Sequence, residues 1–208
     1  MHLYVKPPDG RVLVSAPLRM NRAAIESFVR SKAGWIREKT AKFEGTAPPQ
    51  GYVTGETLYV WGKPHILQVE NGVKNSVAFA DGKVNLTVRP GSTAEQRGRI
   101  IREWYRSLLK TEISKRLPLW EGKTGLHASG WQTKYMTTRW GTCNTATGKI
   151  WLNVTLAEKA PECLDYVLLH ELVHLAEKNH GDAFKAMMDK YMPRWREIKV
   201  LLNGRIMR

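Results

Sequence analysis

The segment His170-Glu171-Leu172-Val173-His174 constrains the fold of this 208-residue chain more than any other feature. Residues four apart lie on one face of a helix, so the imidazoles of His170 and His174 can bind the same metal ion if the segment is helical. On such a helix the carboxylate of Glu171 points to the open side of the metal, where it can accept a proton from a bound water. The motif therefore predicts a helix that carries two zinc ligands, His170 and His174, and a general base, Glu171.

A third zinc ligand is expected shortly after this helix. His180 follows His174 by six residues, and a turn at Asn179 can direct its imidazole back towards the first two. The alternatives are carboxylates, which some zinc sites take from a following helix: Glu177, Asp182, Asp189 and Glu197. His180 is favoured because imidazole is the better donor for zinc. Three imidazoles and one open coordination position are typical of a catalytic zinc site.

The first ninety residues have the pattern of a β-rich region. Short apolar runs are separated by Asn71-Gly72 and Asp81-Gly82, which are typical hairpin turns, and an earlier hairpin is predicted around residues 7–10. A single amphipathic helix, capped by Asn21, is predicted from Arg22 to about Lys42. Residues 1–92 are therefore expected to form a β-rich region with one helix.

From residue 93 onwards helices predominate. A capping box at Ser92 or Thr93 opens a helix that is expected to stop before Pro118. Two strands are predicted over residues 135–144 and 149–156, and Pro161 begins a helix that runs to about Lys178. The predicted fold class is α+β, with residues 1–92 followed by a second domain over residues 93–208, the two forming one compact unit.

The chain is strongly basic, with 33 Lys and Arg residues against 19 Asp and Glu residues and a net charge of +14. Such a charge attracts phosphate-bearing molecules and allows nonspecific contact with nucleic acid. One face of the predicted helix after residue 93 carries four cations, for which a solvated surface is favoured over a phosphate-binding one: Arg99, Arg102, Arg106 and Lys110.

The sequence also suggests a compartment. Cys143 and Cys163 are too few for a disulfide framework, which favours a reducing environment. The first ten residues do not resemble a signal peptide, and no run of about 18 apolar residues predicts a membrane span. A cytoplasmic protein without membrane contact is expected.

The chain resembles the YgjP-like family of predicted metal-dependent hydrolases, which is related to the SprT-like zincins. The resemblance covers most of the chain and is most specific over residues 135–200, in five segments: Arg139-Trp140-Gly141-Thr142-Cys143, Ile150-Trp151-Leu152-Asn153, Leu164-Asp165-Tyr166-Val167, His170-Glu171-Leu172-Val173-His174 with Glu177-Lys178-Asn179-His180, and Met192-Pro193-Arg194-Trp195. Thr142 stands where the family usually has serine, so the hydroxyl is retained. The resemblance implies a minimal zincin-like metallopeptidase domain whose ligands and base are His170, His174, His180 and Glu171.

By the same resemblance, the strand around Trp151 to Thr155 is either the edge strand that receives an extended substrate or an inner strand. Arg139, Tyr135 and Tyr191 are candidates for stabilising an oxyanion.

Three functions are consistent with these residues. The favoured one is a zinc-dependent hydrolase, a metallopeptidase that cleaves protein or peptide through a zinc-bound water activated by Glu171. The second is a metal-dependent nucleoside triphosphate pyrophosphatase of the UTP type, which the resemblance and the +14 charge support. Against it, the sequence has no glycine-rich phosphate loop and no acidic cluster suited to Mg²⁺. The third is a basic nucleic-acid-binding module with a structural metal.

Overall fold

The computed structural model describes residues 1–6, 11–41 and 50–204. Its contacts divide the chain into two compact units, Met1–Gly51 and Tyr52–Arg208. The division therefore falls after Gly51, whereas the sequence predicted a boundary at residue 92 within one compact unit. The physical reason is that apolar residues of the strands between residues 57 and 88 are buried in the same core as those of the helix that follows.

In its described residues, the first unit contains two strands and two helices. Strands β1 (His2–Lys6) and β2 (Arg11–Ser15) pair antiparallel, and the predicted turn at residues 7–10 lies outside the described residues. Instead of one helix, the chain forms α1 (Arg22–Ser31) and α2 (Ala33–Ala41). Asn21 caps α1 as predicted, because its side chain accepts a hydrogen bond from the amide of Ala24 at 2.8 Å. The helix breaks at Lys32, whose amide bonds the carbonyl of Val29 in a tighter turn.

The second unit begins with a four-stranded sheet. Its strands are β3 (Thr57–Val60), β4 (Lys63–Asn71), β5 (Ser76–Ala80) and β6 (Lys83–Val88), in the order β3-β4-β6-β5. Asp81 and Gly82 both have positive φ and join β5 to β6 as the predicted hairpin turn. Asn71-Gly72 does not form a hairpin, since β4 pairs with β6 in parallel and β5 lies on the far side of β6.

A long helix, α3 (Ala94–Thr124), follows this sheet. It opens with a capping box between Thr93 and Gln96 and ends at Gly125, which has φ +70°. The expectation that it would stop before Pro118 is wrong, because Pro118 lies on the exposed face of the helix, where water can satisfy the unpaired carbonyl of the preceding turn. Burial of Ile113, Leu117 and Trp120 on the opposite face holds the helix together across the proline.

The remaining elements build the part of the fold that contains the His-Glu motif. Strands β7 (Gly130–Lys134), β8 (Gly141–Asn144) and β9 (Lys149–Asn153) form a sheet in the order β7-β9-β8. A short 3-10 helix (Val154–Glu158) leads to α4 (Pro161–Val173), α5 (Asp182–Tyr191) and α6 (Trp195–Asn203). Since β9 lies between β7 and β8, the segment around Trp151 is an inner strand and not an edge.

The α+β class is confirmed.

The carboxylate of Asp165 links helix α4 to α3 by hydrogen bonds. Asp165 of α4 accepts hydrogen bonds from the guanidinium of Arg116 and, at 2.9 Å, from the indole of Trp120. Both ionic side chains are only about a quarter exposed, at 23% for Asp165 and 26% for Arg116. A hydrogen bond to a charged group in such surroundings contributes more than an ion pair at the surface.

Two of the four cations on the predicted basic face of α3 form ion pairs within the helix. Arg99 pairs with Glu95 and Arg106 with Glu103, each within the helix. The solvated-surface interpretation fits these local pairs, which neutralise two of the four charges.

Among the residues described, no helix is both long enough and apolar enough to cross a bilayer.

We expect Asp165→Asn to lower the free energy of unfolding by about 1–3 kcal/mol, because it removes a charge-assisted hydrogen bond to Arg116. Urea denaturation of the full chain measures this. Asp81→Asn is the matched control, since Asp81 occupies a positive-φ turn that asparagine also favours, and its effect should stay within about 0.5 kcal/mol. Equal effects of the two substitutions would contradict the role assigned to Asp165.

Candidate metal centre

Helix α4 positions the two histidines of the motif at its carboxyl end. Pro161 is its first residue, as predicted, but the helix ends at Val173 and not near Lys178. His174 is the C-cap, and tighter turns follow, in which Leu175 and Ala176 bond the carbonyls three residues before them. The chain can therefore turn back within a few residues of His174, and this brings His180 to the same place.

The structure brings the three predicted histidines together. One ligand atom from each of His170, His174 and His180 lies within 4.8 Å of the others. The Nε2 atoms of His170 and His180 are 3.0 Å apart. Two nitrogens bound to one tetrahedral zinc at about 2.0–2.1 Å are separated by roughly 3.3 Å, so this spacing suits a single ion.

The carboxylates considered as alternative ligands do not join this group in the described part of the chain. Asp182 pairs with Lys185, Asp189 with Arg196, and Glu197 with Arg194. Glu177 contributes its backbone instead: its carbonyl lies 3.0 Å from Nδ1 of His174. Because a carbonyl can only accept, that contact places the proton of His174 on Nδ1 and leaves Nε2 free to bind a metal.

The aromatic ring of Phe184 supports the three imidazoles. Phe184 is 1% exposed and lies on α5, and its ring centroid is 4.7–4.9 Å from each of the three histidine rings. The imidazoles are therefore held against an apolar side chain. Burial, followed by the positive charges of the neighbouring histidines and of Lys199, lowers the pKa of His170 to about 3. The neutral imidazole, which is the form that binds metals, is thus favoured.

Glu171 is buried beside the histidines. It is 4% exposed, and burial raises the pKa of its carboxyl to about 8, although the charge of Arg139 and a hydrogen bond from the backbone amide of Cys143 act in the opposite direction. Strand β8 can approach this carboxylate because Gly141 has no side chain. A Cβ atom at Gly141 would lie 2.6 Å from Oε1 of Glu171 and 2.8 Å from Cγ1 of Val167.

A cavity of about 550 Å³ opens over the three histidines and Glu171. Strand β8 lines one side of it, and α6 contributes Lys199 and Asn203. Of the three residues considered for an oxyanion, only Arg139 lines the cavity within the described structure. Tyr135 instead donates its hydroxyl hydrogen to the carbonyl of Arg102 on α3.

Asn153 holds the loop that carries Arg139, a role the sequence analysis did not assign. Its side chain is 3% exposed and donates to the carbonyls of Met136 at 2.7 Å and Arg139 at 2.8 Å. Its oxygen accepts from the amide of Thr155 at 3.2 Å. These bonds explain why residues 135–140 form a loop and not the predicted strand. The only sequence signal was the place of Asn153 at the end of an apolar strand.

The converging imidazoles and the buried carboxylate form a site suited to a metal-dependent hydrolase. The family model for the YgjP-like, metallopeptidase domain matches residues 1–205. The chain therefore belongs to the YgjP-like family and is a metallopeptidase, an enzyme that acts on protein or peptide substrates with a catalytic metal. The resemblance seen in the sequence is confirmed.

Two solved structures are similar to part of the chain. The metallopeptidase zymogen of Methanocaldococcus jannaschii jannalysin is 26% identical, with a TM-score of 0.38, over 42% of this chain and 90% of its own. The metallopeptidase zymogen of Pyrococcus abyssi abylysin is 22% identical, with a TM-score of 0.39, over 41% of this chain and 87% of its own. A search of the curated proteins gave no match.

We expect Gly141→Ala to displace Glu171 and to lower the free energy of unfolding by about 1–3 kcal/mol, because the new methyl group overlaps Oε1 and Val167. Peptide cleavage should fall with it. Gly122→Ala makes the same chemical change inside α3, where nothing lies within 4 Å of the new atom, and should be neutral or slightly stabilising. Thermal unfolding and cleavage assays on both variants test this; an active, stable Gly141→Ala protein would contradict the contact.

Proposed function

We propose that this metallopeptidase is a zinc enzyme of the His-Glu-x-x-His type, in which His170, His174 and His180 hold the ion and Glu171 is the general base. The observation that carries the proposal is the convergence of three imidazoles next to a buried carboxylate that belongs to the same helix. Neutral nitrogen donors at this spacing suit zinc, and the cavity leaves one side of the group open.

When bound, zinc supplies an open coordination position that acidifies water and polarises a peptide carbonyl. The proton transfers are assigned to Glu171. An oxygen of the Glu171 carboxylate accepts a proton from the attacking water and delivers it to the nitrogen of the leaving amine. Burial makes this carboxylate a stronger base than an exposed one, and the amide of Cys143 orients it.

Strand β8 is the proposed docking edge for an extended substrate. It is an edge strand, and the carbonyl of Trp140 accepts a hydrogen bond from the amide of Asn153 at 2.8 Å. In an antiparallel pair the backbone groups of alternate residues point away from the partner strand. The backbone N–H and C=O groups of Gly141 and Cys143 therefore face away from β9, towards the cavity that both residues line. A peptide can pair with this edge, although the amide of Cys143 already binds Glu171.

The nucleic-acid-binding module with a structural metal is the weaker alternative. Structural zinc sites are usually closed by four protein ligands. In the described part of the chain the group contains three histidines, and its open side is the cavity. This arrangement supports a catalytic ion.

Replacement of the proposed base should separate metal binding from catalysis. We expect Glu171→Gln to retain about one zinc per chain and to lose activity on unfolded casein by roughly 10²–10⁴-fold, since the amide cannot accept the proton. Elemental analysis measures the zinc content, and cleavage assays on casein measure the activity. Glu162→Gln is the control, because Glu162 is exposed in the first turn of the same helix. Full activity of Glu171→Gln would refute the proposed base.

Loss of one histidine should remove the stabilisation that zinc provides. Zinc at about 100 times its dissociation constant should stabilise the wild-type protein by about 2.7 kcal/mol, and a chelator should reverse this. His174→Ala should abolish the shift in melting temperature. His127→Ala, at an exposed position outside the group, should preserve it. A zinc-dependent shift of unchanged size in His174→Ala would show that the metal binds elsewhere.

A further inference from the structure

Three cations border the cavity over the histidines, and each comes from a different element. Arg139 lies in the loop before β8, Lys178 lies between α4 and α5, and Lys199 lies on α6. All three are exposed, and all three line the cavity. Their separate origins place positive charge on several sides of the site.

None of these three side chains forms a hydrogen bond or ion pair with a carboxylate in the described structure. Three cations on or beside the neighbouring helices do pair with an acidic residue nearby on the chain: Lys185 with Asp182, Arg194 with Glu197, and Arg196 with Asp189. The charges of Arg139, Lys178 and Lys199 are therefore not neutralised by an ion pair and can act on a ligand in the cavity.

The charges of Arg139 and Lys199 reach the centre of the site. Arg139 acts electrostatically on Glu171, and Lys199 acts on His170 and His180. Glu171 is the only acidic residue that lines the cavity among those described. The rim thus carries three positive charges against one buried carboxylate, which favours an anionic ligand.

The form of the cavity favours a peptide over a nucleotide as the source of negative charge. The β8 edge, a docking surface for an extended backbone, lines the same cavity. Beyond Trp140, whose indole donates to Asn203 at 3.1 Å, lies a second cavity of about 490 Å³ that Arg139 also lines. The two cavities share Arg139, Trp140 and Asn203 as lining residues and so lie side by side, which suits an elongated ligand, whereas triphosphates are typically held by a loop of backbone amides of the kind the sequence lacks.

We propose that this site selects peptides with Asp or Glu side chains close to the scissile bond, and that Lys178 and Lys199 are the residues that recognise them. This inference rests on the proposed function, because the scissile bond is placed over the three histidines. Exposed charges attract through water and salt, so recognition acts mainly as a preference among sequences and weakens as ionic strength rises.

Binding to the zinc-loaded Glu171→Gln chain tests the proposal without turnover. Fluorescence anisotropy is measured with three labelled peptides of equal length, in which the same apolar centre is flanked by Glu, Gln or Lys. At low salt the Glu peptide should bind about tenfold more tightly than the Gln peptide, and the Lys peptide most weakly. The preference should shrink as NaCl is added.

The double variant Lys178→Gln/Lys199→Gln, made in the same background, should bring the Glu and Gln peptides to within about threefold of each other. The matched control Lys63→Gln/Lys110→Gln removes the same charge from β4 and α3, away from the cavity, and should keep the preference. Zinc content, measured on every variant, shows that the site is still loaded.

Three results would overturn the inference: equal affinity for the Glu and Gln peptides, an equal effect of the two double variants, or displacement of the Glu peptide by a nucleoside triphosphate that the wild-type enzyme also hydrolyses. The proposed function fails separately. If wild-type cleavage requires Glu171 but shows no preference for acidic peptides, the role of Glu171 as general base is supported and the proposed preference for acidic peptides is wrong. If Glu171→Gln cleaves as well as wild type, the proposed function itself is wrong.

Discussion

The burial of helix α4 is the constraint on which the site depends. Nine of its 13 residues are buried, including Glu171. A helix packed on nearly every side cannot rotate or shift without opening voids in the core. His170 and Glu171 are therefore fixed by packing that has nothing to do with metal chemistry. The Asp165 contact to α3 and the close approach of β8 at Gly141 hold the same helix from two further directions.

The burial of α4 also explains why the pKa of Glu171 is raised. A carboxylate removed from water is destabilised in its charged form unless hydrogen bonds or positive charges compensate. Glu171 receives partial compensation, from the amide of Cys143 and the charge of Arg139, so its pKa stays raised. Arg139 belongs to the loop that the side chain of Asn153 holds, and Cys143 follows on β8, so a buried asparagine on β9 is part of the support of the proposed base.

The sequence predicted the local features well, because they depend on spacing and on capping residues. His170 and His174 share a face by helical periodicity, and the caps at Asn21 and Thr93 lie where expected. The break of the first helix at Lys32 and the end of α4 at Val173 are local errors, and the others concern tertiary context. Pro118 is tolerated because its side of α3 is exposed, and the order of β7, β8 and β9 cannot be read from the strands alone. The rim lysines, Lys178 and Lys199, are separated by 21 positions, so no motif unites them.

The positions of the cations indicate more about the ligand than the net charge of the chain does. A net charge of +14 suggested phosphate-bearing partners, yet the positive charge that borders the candidate metal centre comes from three cations that line its cavity. The unpaired cations at the cavity have two opposing effects. Lys199 disfavours protonated His170 and His180, which keeps these imidazoles ready to bind metal, and the positive charges of the rim also repel the metal cation itself. An acidic ligand at the rim would relieve that repulsion, so metal and acidic ligand should each strengthen the binding of the other by the same factor.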